Sequence, residues 1–330
     1  MMFSRLTAAV PSLLAFALVA CSDASTPGPD RSLAPSMAMS AAAGPGGVSA
    51  GLQVWLRADA GIGVAHGAPV NVWRDQSGRG RDASWNAGNT FGELAPVFRA
   101  SNAAIGSRPT VRFDGQHALD LDLGFLVGTD YTVIAVNGRD RTGFANFWLA
   151  GDQAVINGNL VLGYERPDLL RQSHFGNDLD AVVENYTGSE VWSLDTYTFD
   201  RGAGKDLYHN GIPVSTDNSL GALVSNSGST LGHFRAISIY WFQGDLAEVI
   251  VFDRAITAVE RLRIEAQLAG KYGFALQLDS YVPCNGPWTD HAQYVREHLR
   301  AVDQFILQRL LTVAQAKVAH AAAQASSCGG

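Results

Sequence analysis

The sequence predicts a mainly β chain: an antiparallel sandwich or barrel, followed by a C-terminal α-helical hairpin. Three observations carry that expectation. Short apolar or alternating runs recur from Gly51 onward, at Leu52–Leu56, Thr110–Phe113, Tyr131–Val136, Leu160–Gly163, Leu207–His209 and Leu246–Phe252. Turn formers separate them: Asp75-Gln76-Ser77-Gly78, Asp114-Gly115, Asn137-Gly138, Asn157-Gly158 and Asn210-Gly211. Asn-Gly and Asp-Gly supply the positive φ values that tight turns require. No long helical period occurs before about residue 257, which argues against a parallel βαβ fold.

Composition agrees. The 330 residues are 47% hydrophobic and 17% charged, enough apolar content for a large core. At about 100–200 residues per domain this allows one large domain or two smaller ones. Thirty-five Gly against 4 Met suits a turn-rich β protein. The net charge is −7 with no basic run, which argues against nucleic acid, because phosphate binding needs clustered Lys and Arg. Neutral glycans and proteins remain open as partners.

The N-terminus reads as an address. Met1–Arg5 is short and basic, and Leu6–Ala20 is an apolar run of signal-peptide length, too short to span a membrane comfortably. Leu18-Val19-Ala20-Cys21 resembles the bacterial lipobox, which implies cleavage after residue 20 and lipidation of Cys21. Lipid chains contribute roughly 0.8 kcal/mol per buried CH₂, so several make a lasting anchor. Ser22 fits sorting to the outer membrane under enterobacterial rules. The chain is therefore expected to be exported and lipid-anchored in the bacterial cell envelope, at the outer membrane or cell surface. Residues 21–50, rich in Ser, Ala, Pro and Gly, read as a disordered tether.

Between residues 51 and 277 ordered motifs accumulate. Val54-Trp55-Leu56-Arg57-Ala58-Asp59 is followed by Val72-Trp73-Arg74-Asp75-Gln76-Ser77-Gly78-Arg79-Gly80-Arg81-Asp82-Ala83 and by Val111-Arg112-Phe113-Asp114-Gly115. Leu207-Tyr208-His209-Asn210-Gly211 and Gly244–Arg254 come next. In this order the set resembles bacterial laminin-G-like, concanavalin-type domains. The resemblance implies a jelly roll of two packed antiparallel sheets, one concave, with a closing helix.

That helix has local support. Thr257 and Glu260 form a capping box, and Lys271 and Gly273 suit its C-terminal end. Val259, Leu262, Ile264, Ala266, Leu268 and Ala269 supply an apolar face, expected to pack on the sandwich edge. Residues 278–330 read as a helical hairpin. Val295, Leu299, Val302 and Ile306 line one face of a helix from Thr289 to about Gln308, and Thr312 and Gln315 cap a second. Cys284 and Cys328 bracket it, and outside the cytoplasm two such cysteines form a disulfide more often than a metal site. Cys284-Asn285-Gly286-Pro287-Trp288, His291, Tyr294-Val295 and Ala321–Gln324 resemble a small bacterial module of unassigned role. That module has Gly before the interhelical joint, where this chain has Arg309. His291 and Trp288 are expected to lock the hairpin.

Catalytic signatures are sparse. Sandwich-type glucanases place carboxylates close together along one strand. Here Glu165, Glu184, Glu190 and Glu248 are isolated, and only Asp120/Asp122 and Asp178/Asp180 would share a strand face. His-Glu-x-x-His does not occur, and no catalytic residue is assigned. The resemblance implies structural calcium, with Asp75, Asp82, Asp114 and Asp245 as candidate ligands; Asp75-Gln76-Ser77-Gly78 also fits a plain Asx-turn. For a glycan, Trp148, Tyr164, Arg166, His174, Asn177 and Trp241 combine aromatic surface with hydrogen-bonding groups. Aromatics in strands are also what a core uses, and Trp55 and Trp73 are assigned to packing. The leading expectation is a non-catalytic module binding a glycan or an extracellular or envelope protein. The alternatives are a glycoside hydrolase or polysaccharide lyase, and a structural envelope protein.

Overall fold

A computed structural model describes residues 44–186 and 188–329; the lipobox with Cys21 and most of the expected tether lie outside them. In chain order the strands are β1 (Leu52–Arg57), β2 (Val72–Trp73), β3 (Ala83–Ser84), β4 (Val97–Asn102), β5 (Arg108–Asp114), β6 (Leu119–Asp120) and β7 (Tyr131–Arg139). There follow β8 (Asn146–Ala150), β9 (Val161–Arg166), β10 (Leu169–Ser173), β11 (Asp178–Val182), β12 (Val191–Asp200), β13 (Gly204–His209) and β14 (Ile212–Asp217). The last are β15 (Thr230–Leu231), β16 (His233–Phe234), β17 (Tyr240–Trp241) and β18 (Gln243–Phe252), before helices α1 (Ala258–Tyr272), α2 (His291–Leu307) and α3 (Val313–Ala325).

Two eight-stranded antiparallel sheets form a sandwich. The first runs β14-β13-β12-β7-β18-β5-β4 with β1 paired to β18; the second runs β11-β10-β9-β8-β15-β6-β3-β2. β16 and β17 make a separate ribbon. Alternate residues of the central strands enter the space between the sheets, among them Tyr131, Val133 and Ala135 of β7, Tyr197 and Phe199 of β12, and Leu246, Val249 and Val251 of β18. The second sheet answers with Trp148, Leu162, Tyr164 and Leu170. Burying one such side chain contributes about 1.5–3 kcal/mol.

The predicted turns hold with one exception. Asn210 (φ 51°) and Gly211 (φ 79°) join β13 to β14 with two positive φ values, as a type I′ hairpin requires. Asn137-Gly138 is not a turn but lies inside β7, where a Cβ at Gly138 would come within 2.6 Å of the Trp192 ring. The glycine is there for a close approach of ring to backbone, not for a bend.

The other face of the first sheet is apolar too. Ile134, Val136, Leu194, Ala247, Ile250 and Phe252 pack against Ile264, Leu268 and Tyr272 of α1. The helix therefore covers a sheet face rather than the sandwich edge. Its capping box at Thr257 and Glu260 and its left-handed Gly273 are as the sequence predicts. Val259 departs from the expected face and is 41% exposed, because it lies in the first turn. Two buried carboxylates pin α1. Glu248 of β18 accepts from Trp55 Nε1 (2.6 Å), Lys271 Nζ (2.7 Å) and Tyr272 Oη (2.8 Å). Glu265 accepts from Thr196 Oγ1 (2.6 Å), Arg261 Nη1 (2.7 Å) and Tyr281 Oη (2.7 Å). Residues 44–50, assigned to the tether by sequence, also pack here: Val48 joins the same cluster, and Gly46 lies so close that a Cβ would meet Ile264 N at 2.6 Å.

The far side of α1 meets the hairpin through Leu262 and Ala266, which pack with Tyr281, Val282, Tyr294, Ala301 and Phe305. Cys284 and Cys328 are bonded, with Cα atoms 4.6 Å apart. His291 Nδ1 lies 2.8 Å from the Cys328 carbonyl, and Trp288 Nε1 donates to the Pro283 carbonyl at 2.8 Å. The buried face of α2 is Tyr294, His298, Ala301, Val302 and Phe305. It is rotated from the predicted one, leaving Leu299 36% exposed; the large rings of Tyr294 and Phe305 take the contact with α1. Arg309 adopts the left-handed conformation that glycine favours (φ 61°). Leu310 N–H donates to Phe305 O and Arg309 N–H to Ile306 O, the two bonds of a Schellman cap. A non-glycine residue there costs about 1 kcal/mol. Arg309→Gly should accordingly raise stability by about 1 kcal/mol in urea denaturation, and an unchanged midpoint would contradict the cap geometry.

Candidate functional site

Loops at one end of the sandwich enclose a polar cleft of about 360 Å³. Trp241 and Ile239 give it apolar surface, and Asp114, Gln116, Arg141 and Gln243 give it hydrogen-bonding groups. These residues come from the end of β5, the connection after β7, β17 and the start of β18. They are fixed by one another: Arg141 Nη1 donates to the Trp241 carbonyl (2.9 Å), and Gln243 N–H donates to Asn146 Oδ1 (2.7 Å).

The Trp241 ring is held from behind. It pairs across the β16–β17 ribbon with His233, and the two rings stack at 3.6 Å with planes 2° apart. His233 is fully buried, with Nδ1 2.7 Å from Glu93 Oε1 and Nε2 3.1 Å from the Ser238 carbonyl. Arg235 donates to both Glu93 oxygens (2.7 and 2.5 Å) and to Asp120 Oδ1 (2.6 Å). Burial alone would raise the Glu93 carboxyl, but the hydrogen bonds from Arg235 and His233 outweigh it and hold it down at about 2. Trp241 lines the cleft with its ring anchored in this way. A sugar ring can pack on such a surface while amide, carboxylate and guanidinium groups take its hydroxyls.

A second concavity, of about 710 Å³, lies where α1, the 280–288 turn and α2 meet. Its lining is mainly apolar and includes Tyr208, Leu262, Tyr281 and Trp288, with Arg261 stacked on Tyr208 (3.9 Å to the centroid) and Tyr281 (4.8 Å).

Elsewhere between the two sheets lies a buried polar network. His209 Nδ1 lies 2.6 Å from Asp195 Oδ1 and its Nε2 2.6 Å from Glu184 Oε2. Asp195 Oδ2 also accepts from Asn137 (2.8 Å), Tyr164 Oη (2.8 Å) and Ser193 Oγ (3.0 Å). Burial would lower the His209 pKa, but the two carboxylates push it up to about 9. No sequence signal marked this group, because its members are scattered over β7, β9, β12, β13 and the loop after β11.

Of the six predicted ligand residues, the structure brings only Trp241 to the cleft. Trp148, Tyr164 and His174 are buried in the sandwich and line no groove. Strand parity points Trp148 and Tyr164 inward, and the His174 ring is held between Tyr131 Oη (2.7 Å) and the Gly221 carbonyl (2.6 Å). Burial pushes His174 down to about 4. Asn177 is engaged by Lys205. Arg166 is exposed at the β9–β10 turn, 3.5 Å from Asp168. Asp178 and Asp180 do share an outward face, but Arg171 binds Asp180 at 2.7 Å and Glu165 at 2.8 Å.

The four candidate aspartates are not gathered at one place. Asp75 accepts from the backbone of Trp55, Ser77 and Arg81 and from the Ser77 hydroxyl, which is the Asx-turn. Asp82 accepts from Asp75 N–H (2.8 Å). Asp114 is exposed on the cleft rim, and its backbone N–H donates to His117 Nδ1 at 3.2 Å. Asp245 is buried on the first sheet against Arg99, Arg112 and Thr110. Burial and the neighbouring Glu190 push it up to about 6. Among the described residues no group of three acidic, His or Cys side chains is placed to hold a metal ion.

No protein-family model matches the sequence, and no curated protein matches it. Solved structures do resemble the fold. Domain 4 of a GH43 extracellular arabinanase from Geobacillus stearothermophilus, in complex with arabinotriose, shares 16% identity at a TM-score of 0.48, over 68% of this chain and 98% of that one. Trypanosoma rangeli sialidase shares 16% at 0.45, over 66% of this chain, which spans 32% of the sialidase. The CBM40 of Ruminococcus gnavus IT-sialidase bound to α2,6-sialyllactose shares 14% at 0.34, over 40% of this chain and 80% of that one.

The His209 network gives a pH dependence. Its folded pKa of about 9 exceeds the ordinary 6.5, so its ion pairs stabilise the fold fully below about 6.5 and that contribution fades as pH rises through about 9. His209→Gln should cost about 3 kcal/mol at pH 7. Between pH 7 and 10 its urea midpoint should fall less than that of the wild type; parallel curves would refute the pairing.

Proposed function

We propose that this chain is a non-catalytic glycan-binding module, displayed on the bacterial cell envelope by a lipid anchor at Cys21. The observation that carries the binding reading is the Trp241 ring, immobilised on buried His233 beside Asp114, Gln116, Arg141 and Gln243. An aromatic side chain held in one orientation loses little entropy when a sugar packs on it, and the polar rim then selects hydroxyl geometry. The cleft volume suits a short stretch of glycan rather than a whole polymer in a channel.

The lipid anchor belongs to the same reading and rests on Leu18-Val19-Ala20-Cys21. A permanently tethered protein is better suited to holding a surface ligand than to diffusing after one. Glycan hydrolysis has less support, because the outward carboxylates Glu165 and Asp180 are bound by Arg171.

Two outcomes follow. On a glycan array and by affinity electrophoresis, Trp241→Ala should weaken retention by at least about thirtyfold. Equal retention by wild type and variant, or turnover of a polysaccharide by the wild type, would overturn the reading. Cys21→Ser should move the protein from the membrane fraction to the soluble fraction; continued membrane residence would exclude the anchor.

A further inference from the structure

The strand that carries His209 at one end carries Lys205 at the other. Lys205 belongs to the first sheet and is fully buried. Its ammonium crosses to the turn between β10 and β11 of the second sheet, where Nζ lies 2.7 Å from Asn177 Oδ1 and 2.8 Å from the Asn177 carbonyl. A lysine buried inside a sandwich is costly, and an apolar residue would fill the space more cheaply. What surrounds it is the equipment for an acyl transfer.

The Ser219 hydroxyl donates to Asn177 Oδ1 at 3.1 Å. Asn177 Nδ2 donates to Asn157 Oδ1 at 3.1 Å, which fixes the carboxamide plane. Asp217, the direct cross-strand partner of Lys205, has Oδ2 3.9 Å from Nζ and Oδ1 held by Ser219 N–H at 3.0 Å. Burial lowers the Lys205 pKa and so raises the fraction of neutral amine, the nucleophilic form.

We propose that Lys205 and Asn177 join in an intramolecular isopeptide bond that ties the two sheets together. Asp217 takes a proton from the ammonium, and the freed amine attacks Cγ of Asn177. The developing oxyanion at Oδ1 receives the Ser219 hydrogen bond. The attacking nitrogen passes its second proton to Nδ2, the Cγ–Nδ2 bond breaks and ammonia leaves, taking up the proton held by Asp217 to depart as ammonium. One amide replaces another, so the step needs neither oxidant nor external acyl donor. The product is a secondary amide between side chains separated by 28 positions in the sequence.

Mass spectrometry of the full chain, after incubation at neutral pH, tests this directly. The expected mass is lower than that of the unlinked chain by one molecule of ammonia, and proteolysis should release a branched peptide joining the segments around Lys205 and Asn177. Lys205→Met and Asn177→Ala should keep the full mass. Asp217→Asn should slow the ammonia loss by about a hundredfold. An unlinked wild-type mass with two separate linear peptides would overturn the proposal, as would ammonia loss that persists in Lys205→Met. The wild-type peptide map decides the question even if the buried substitutions impair folding.

Discussion

Strands β7 and β18 are apolar on both sides, and a sheet centred on them must be covered twice. The second sheet covers one face through Trp148, Leu162, Tyr164 and Leu170. Helix α1 covers the other through Ile264, Leu268 and Tyr272. Covering it makes α1 a buried element in turn, with Leu262 and Ala266 facing away from the sheet. The hairpin closes over those, and its own core is too small to persist unaided, so a disulfide across 44 positions restricts the unfolded chain. Each layer exists because the one beneath has two apolar faces.

Carboxylates give this stack its registry. Glu248 and Glu265 are both buried, and each receives three donors, from β1 and α1 for Glu248 and from β12, α1 and the turn after it for Glu265. A buried carboxylate that loses its donors is penalised by several kcal/mol, so a displaced α1 would be punished at two points. Hydrophobic contact alone would tolerate a helix sliding along the sheet; these bonds do not. The same logic operates between the sheets, where Asp195–His209 and Lys205–Asn177 occupy opposite ends of β13. At the cleft end, Glu93 and Arg235 hold the ribbon that carries Trp241.

Much of the fold was legible because its signals are local. The type I′ turn at Asn210-Gly211 needs two positive φ values, and only a few residues supply them. The capping boxes at Thr257 and Thr312 depend on partners three residues apart. Asn137-Gly138 misled for the same reason, since a glycine required beneath the Trp192 ring looks like one required for a bend. The site was mostly illegible. Trp148, Tyr164 and His174 have the chemistry of sugar ligands, and a buried network uses the same chemistry to satisfy Asp195, Tyr131 and Gly221.

The amino-acid sequence by itself determined six of the strands, the tight turns other than Asn137-Gly138, the caps of α1 and α3, and the closing of the hairpin by Cys284 and Cys328. All of these are settled by interactions within a few residues or by the pairing of two cysteines. Tertiary structure alone decided which side chains reach solvent. When both faces of a strand are apolar, period-two alternation carries no information about which face is covered by what, so the inward course of Tyr164 and the position of α1 could not be read. Nor could the meeting of Asp114, Arg141 and Trp241, because three loops distant in sequence become neighbours only when the strands between them pair in register.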